Sequence, residues 1–62
     1  MTNSEQLMDY VKRHPGLDDD QLSDATAIRP RQQVNIILRK LHKAGQVRRI
    51  KQLGAKIRNY PT

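Results

Sequence analysis

The chain has no cysteine in its 62 residues, which excludes disulfides and thiolate-bound zinc and fits a reducing compartment. It has no Trp or Phe, and its only aromatics are Tyr10 and Tyr60. Stacking of single-stranded bases on aromatic platforms therefore finds little support, and the two tyrosines read as core or hairpin-closing residues. No apolar run approaches the ~20 residues that span a bilayer. The polar stretch Met1–Glu5 lacks the apolar segment of a signal peptide. The expected location is the cytoplasm (nucleoid) or the nucleus, with neither secretion nor membrane insertion. There is no Gly-rich phosphate loop, and Ser4 and Ser23 have no supporting nucleophile–base arrangement. His14 and His42 have no cysteine or paired carboxylate at ligand spacing. The expectation is no enzyme, no cofactor and no metal. A chain this short buries only about 60% of its unfolded surface. It should form one small domain over residues 1–62, stabilised by helix packing or by a partner.

Acid is missing from the C-terminal half. Residues 1–28 hold all six Asp and Glu with only Lys12 and Arg13, a net −4, whereas residues 29–62 hold ten Lys and Arg and no acid, a net +10. The total is +6. So lopsided a distribution suggests a basic face for a polyanion rather than a merely solvated surface.

The order of elements can be read from caps and periodicity. A first helix starts near Asn3 or Ser4, where Thr2 with Glu5, or Asn3 with Gln6, has capping-box spacing. It places Leu7, Tyr10, Val11 and His14 on one face, with Met8 at the stripe's edge, and ends at Pro15-Gly16. Asp18, with Gln21 three positions on, caps a short second helix that stops near Asp24–Thr26, with Leu22 and Ala25 inward. Asp18–Asp20 reads as an acidic helix cap, because consecutive helical residues do not converge on one ion. A third helix covers about 30–44, opening at Pro30 and closing at Gly45. Its Val34, Ile37, Leu38 and Leu41 fall in one narrow sector. Gln32, Ile36, Arg39 and Lys43 fall opposite, flanked by Asn35 and Lys40. Residues 46–52 then read as a strand, Leu53-Gly54-Ala55 as a turn and Lys56–Tyr60 as a return strand. Val47 and Ile57 are the expected inward residues of this hairpin; Ile50 and Leu53 line its tip or touch a partner.

Two helices joined by a short turn, the second long and basic, followed at once by a hairpin, resemble the winged helix-turn-helix family over residues 4–60. The stretch that carries the likeness is LDDDQLSDATAIRPRQQVNIILRKLHKAGQVRRI. The resemblance implies an α+β fold: three helices, a C-terminal β-hairpin wing, and a very short extra strand near Leu17. It also implies insertion of the third helix into the major groove of double-stranded DNA, in the service of transcriptional regulation. On that reading Gln32 and Asn35 offer paired amide contacts suited to adenine, and Arg39 suits guanine or a phosphate. Ile36 meets a thymine methyl or is a lone surface apolar residue. Arg31, Lys40, Lys43, Arg48, Arg49, Lys51, Lys56 and Arg58 are the expected phosphate contacts, the last five on the wing. His42, beside the core sector, is a further phosphate candidate.

The segment PRQQVNIILRKLHKAGQV also resembles the third helix of the Z-DNA/Z-RNA-binding domains, matching at Pro30, Arg31, Asn35, Leu38, Leu41 and Gly45. It departs from them where their base-contacting tyrosine would fall at Arg39, and it has neither Trp nor a proline between Pro30 and Pro61. A rival reading makes the winged helix a protein-interaction module of a transcription or replication assembly, with Ile36, Ile50 and Leu53 at the interface. A homodimer or a protein partner remains open on either reading.

Overall fold

Thr2 sets the start of the first helix: its hydroxyl accepts from the Glu5 backbone N–H, and the Glu5 carboxylate accepts from the Thr2 N–H, both at 3.1 Å. The computed structural model describes every residue, Met1–Thr62. In chain order the elements are α1 (Asn3–Arg13), β1 (Leu17–Asp18), α2 (Asp19–Thr26), α3 (Arg31–Lys43), β2 (Val47–Ile50) and β3 (Arg58–Pro61). The three strands form one antiparallel sheet in the order β1-β3-β2. The short strand expected near Leu17 is present, and it pairs with β3 rather than with β2.

A second capping box, between Asp18 and Gln21, starts α2. Pro30 stands one residue ahead of α3 as its cap. The α3 C-terminus ends in a Schellman arrangement. The Gln46 N–H donates to Leu41 O at 2.9 Å and the Gly45 N–H to His42 O at 3.0 Å. Gly45 adopts the required left-handed conformation at φ +77°, and the chain turns there into β2.

The core is built from one face of each helix plus the sheet. Leu7 and Val11 come from α1, Leu22 from α2, Val34, Ile37, Leu38 and Leu41 from α3, and Val47 from β2. Four expectations need correction. Ala25 is exposed, and the inward partners of Leu22 are Ser23 and Ile28. The chain reverses at Ala27, so helical periodicity does not extend to Ile28, which folds back into the core. His14 is exposed, with its ring 4.6 Å from that of Tyr10. Ile57 is only half-buried, while Asn59 is fully buried in the sheet. The strands are shorter than residues 46–52 and 56–60. Pairing ends at Ile50 opposite Arg58, and a turn closed by the Ala55 N–H on Gln52 O forms the tip.

Ala27, which ends α2, sits in the left-handed region at φ 59°, ψ 20°. An L-residue there costs about 1–2 kcal/mol, and the extra freedom of an unfolded glycine returns about half of that. Ala27→Gly is therefore expected to stabilise the domain by about 0.5–1 kcal/mol and to raise its melting temperature by a few degrees. Thermal unfolding followed by circular dichroism checks this; a lower melting temperature would mean that Ala27 is unstrained.

Candidate nucleic-acid interface

The four apolar residues that dock α3 on the core leave its opposite side uncovered. Gln32, Ile36, Arg39, Lys40 and Lys43 are exposed there, as is Gln33, which the sequence pattern did not single out. Ile36 is 46% exposed, and with Arg39, Lys40 and Lys43 it lines a shallow surface groove of about 280 Å³. This face therefore combines one apolar side chain with three cationic ones.

Asn35 lies one step around the helix and is engaged by the protein itself. Its Nδ2 donates to Asp19 Oδ2 at 2.9 Å. Asp19 is only 6% exposed, and donors from three elements converge on it. The Arg49 guanidinium donates through Nη1 to Oδ1 and through Nη2 to Oδ2, both at 3.0 Å. Asn59 Nδ2 donates to Oδ1 at 3.0 Å, and Arg49 Nη1 also reaches Asn59 Oδ1 at 3.0 Å. No buried side-chain polar atom lacks a partner. Burial pushes the Asp19 carboxyl up, but the donors Arg49, Asn35 and Asn59 outweigh it and hold the group below its ordinary value. One carboxylate at the start of α2 thus ties together α3, β2 and β3.

The expectation that Arg49 contacts backbone phosphate needs correction. Side chains of a strand alternate between two faces, and Arg49 shares the inner face with Val47, while Arg48 and Ile50 point outward. With its side chain 6% exposed and both terminal nitrogens on Asp19, Arg49 works as an internal strut. Alternation from Val47 was the signal that could have placed it. Nothing local in the sequence points to Asp19 or Asn59 as its partners.

The other selected cations are exposed. Arg48 lies on the outer face of β2, and Lys51 and Lys56 lie on either side of the wing tip, where Leu53 is fully exposed. Arg58 Nη1 donates to Gly16 O at 3.1 Å, which fixes its guanidinium at the sheet's edge. Arg31 and Lys56 both reach the Asp20 carboxylate. Between the start of α3 and the wing opens a cleft of about 270 Å³ lined by Arg31, Asn35, Lys51 and Lys56, with the Asp19–Arg49 pair at its inner end. His42 Nδ1 lies 3.1 Å from Val47 O, tethering the exposed ring to β2.

Three helices, with α2 and α3 as a helix-turn-helix pair and the β2–β3 hairpin as a wing against a third short strand, define the winged-helix fold. A similar solved structure is the MarR family protein Rv2887 of Mycobacterium tuberculosis in complex with p-aminosalicylic acid. It is 27% identical, with a TM-score of 0.72 over 100% of this chain and 48% of that one. The chain thus spans about half the length of that protein. No family model matches the chain, and no curated protein matches it. No helix is long and apolar enough to cross a membrane, and no three His, Cys, Asp or Glu side chains are placed to hold a metal ion.

Proposed function

We propose that this chain binds double-stranded DNA sequence-specifically, with α3 in the major groove and the wing on the adjacent backbone, and that it regulates transcription. The observation that carries this reading is the uncovered face of α3. It presents Gln32, Ile36, Arg39, Lys40 and Lys43 on a helix whose other side is buried. A major groove is wide enough for a helix and presents acceptors, thymine methyls and flanking phosphates to such a face. Likeness to a MarR family protein supports the use of this fold in regulation. Gln32 and Arg39 are the base-edge contacts and Ile36 the methyl contact. Lys40, Lys43, Arg48 and Lys51 hold phosphates, joined by Arg31, Lys56 and Arg58 once their internal contacts yield. Asn35 spends one of its two amide N–H donors on Asp19, which fixes the side chain and leaves its other N–H and its carbonyl oxygen for a base edge. The mechanism needs no cofactor. A second copy of the chain would extend the site read.

Selection of bound sequences from a random duplex pool should yield a consensus of a few base pairs. Arg39→Ala should then cost about 1–3 kcal/mol on that consensus and relax it at one position, without moving the melting temperature. A pool that stays random would remove sequence specificity from the reading. Exposed Ile36, Ile50 and Leu53 favour a second reading, a protein-interaction module. Under it, Ile36→Ser and Leu53→Ser abolish partner capture while Arg39→Ala is silent.

A further inference from the structure

We propose that Arg31 and Lys56 form the two sides of a single slot for a DNA backbone phosphate, and that Asp20 fills this slot in the free protein as a carboxylate stand-in that DNA must displace. The inference rests on the DNA-binding reading and adds to it a specific site and an internal competitor.

Arg31 opens α3, and Lys56 lies in the wing on the approach to β3; the two are far apart in sequence. Both reach the carboxylate of a third element: Arg31 Nε meets Asp20 Oδ1 and Lys56 Nζ meets Asp20 Oδ2. The same cations line the cleft between α3 and the wing, together with Lys51 and Asn35. A groove-bound duplex would run its backbone across that cleft.

A carboxylate and a phosphodiester present the same chemistry to such donors. Each carries one negative charge and two terminal oxygens that only accept. What holds Asp20 will therefore hold a phosphate at the same place. The Lys56 hydrogen bond keeps the Asp20 carboxyl below its ordinary value, and Asp20 in turn raises Lys56, so each senses the other's charge. All three side chains are at least about a third exposed, so solvent screens the pairs and they open at small cost.

The remaining surface ion pairs differ. Asp9–Arg13 lies along α1, and Asp24–Arg29 lies at the α2–α3 turn. Neither places an acid between the third helix and the wing. Asp20 alone among the acids neutralises two cations of the proposed interface.

The test uses the full chain and a labelled mixed-sequence duplex two helical turns long, read by fluorescence anisotropy over a salt series. Asp20→Asn should tighten binding about fivefold, the scale of an exposed ion pair released from competition. The log–log salt slope should stay near its native value, since DNA already draws both cations onto phosphate when it displaces Asp20. Asp9→Asn should change neither quantity. In a background of Arg31→Met and Lys56→Met, Asp20→Asn should give no gain. Should Asp20→Asn fail to fold, Asp20→Gln, with a better helix former inside the first turn of α2, gives the same readout. Unchanged or weaker binding by Asp20→Asn, an equal gain in Asp9→Asn, or a gain that survives loss of Arg31 and Lys56 overturns the slot and leaves the DNA reading standing. No binding by either the native chain or Asp20→Asn overturns the DNA reading, and the slot with it.

Discussion

Asp19→Ala should leave the domain largely unfolded at 25 °C. Removing one partner of a buried, hydrogen-bonded ion pair costs about 3–5 kcal/mol, because the other charge stays buried without compensation. A chain of this length has a total stability of only about 3–9 kcal/mol. The loss here is wider than one pair. Arg49, Asn35 and Asn59 would each lose an acceptor, and with them the links from α2 to α3, β2 and β3. Urea unfolding followed by circular dichroism measures the effect, and a cost below about 1 kcal/mol would show the network to be dispensable. Asp19→Ala combined with Arg49→Met should be less damaging than the two single changes summed, since the stranded cation is gone. The same carboxylate sets a pH dependence. Its folded pKa lies below the unfolded value, so its contribution is present above the ordinary carboxylate pKa of about 3.9 and is lost as pH falls through the lower folded value. Native protein should therefore lose stability steeply below about pH 4. Any Asp19→Ala that remains folded, for instance in a stabilising osmolyte, should show a flatter acid limb.

The helices and their order could be read from the sequence because the information is local. Val34, Ile37, Leu38 and Leu41 announce the buried side of α3 through spacing alone, and capping-box spacing marks the starts of α1 and α2, the first to within one residue because Asn3 with Gln6 has the same spacing as Thr2 with Glu5. The wing was visible from Gly45 and Gly54 and the β-branched residues near them. What local pattern could not supply is who meets whom across the fold. Asp18, Asp19 and Asp20 look alike in sequence, yet the first caps α2, the second is a buried hub, and the third bridges α3 and the wing. Their partners lie far along the chain, beyond any helical or strand period. Arg49 is a different case: the inward Val47 two residues earlier was enough to turn it inside. Ala25 was misplaced and Ile28 passed over because α2 stops at the left-handed Ala27, and the chain that turns back there puts Ile28 in the core. The candidate site was accordingly legible where it depends on one helix face, Gln32 to Lys43. It was illegible where tertiary pairing consumes a donor, as at Asn35, or a charge, as at Arg49.

Salt should weaken DNA binding by about a thousandfold or more between about 50 and about 200 mM, a direct consequence of how many cations the fold leaves outside. Lys40, Lys43, Arg48 and Lys51 are exposed and carry no carboxylate partner. Arg31 and Lys56 join them when Asp20 yields, and Arg58 when it leaves Gly16, while Arg49 stays paired inside. Seven phosphates neutralised give a log–log slope near about −6, and a fourfold rise in salt raised to that power is a loss of roughly four thousandfold. Lys40→Met and Lys43→Met should each make the slope shallower by about one, whereas Arg13→Met, on the far side of the charge divide in α1, should leave it alone. The acidic first 28 residues matter to this count. Of their six acids, Asp20 sits between α3 and the wing and withholds Arg31 and Lys56 from the phosphates until it yields. Anisotropy titrations at four or more salt concentrations and fixed pH measure the slope. A value shallower than about −2 would mean that α3 and the wing do not lie along the phosphates. The uncovered basic face would then have to be matched to an uncharged partner, which its composition does not suit.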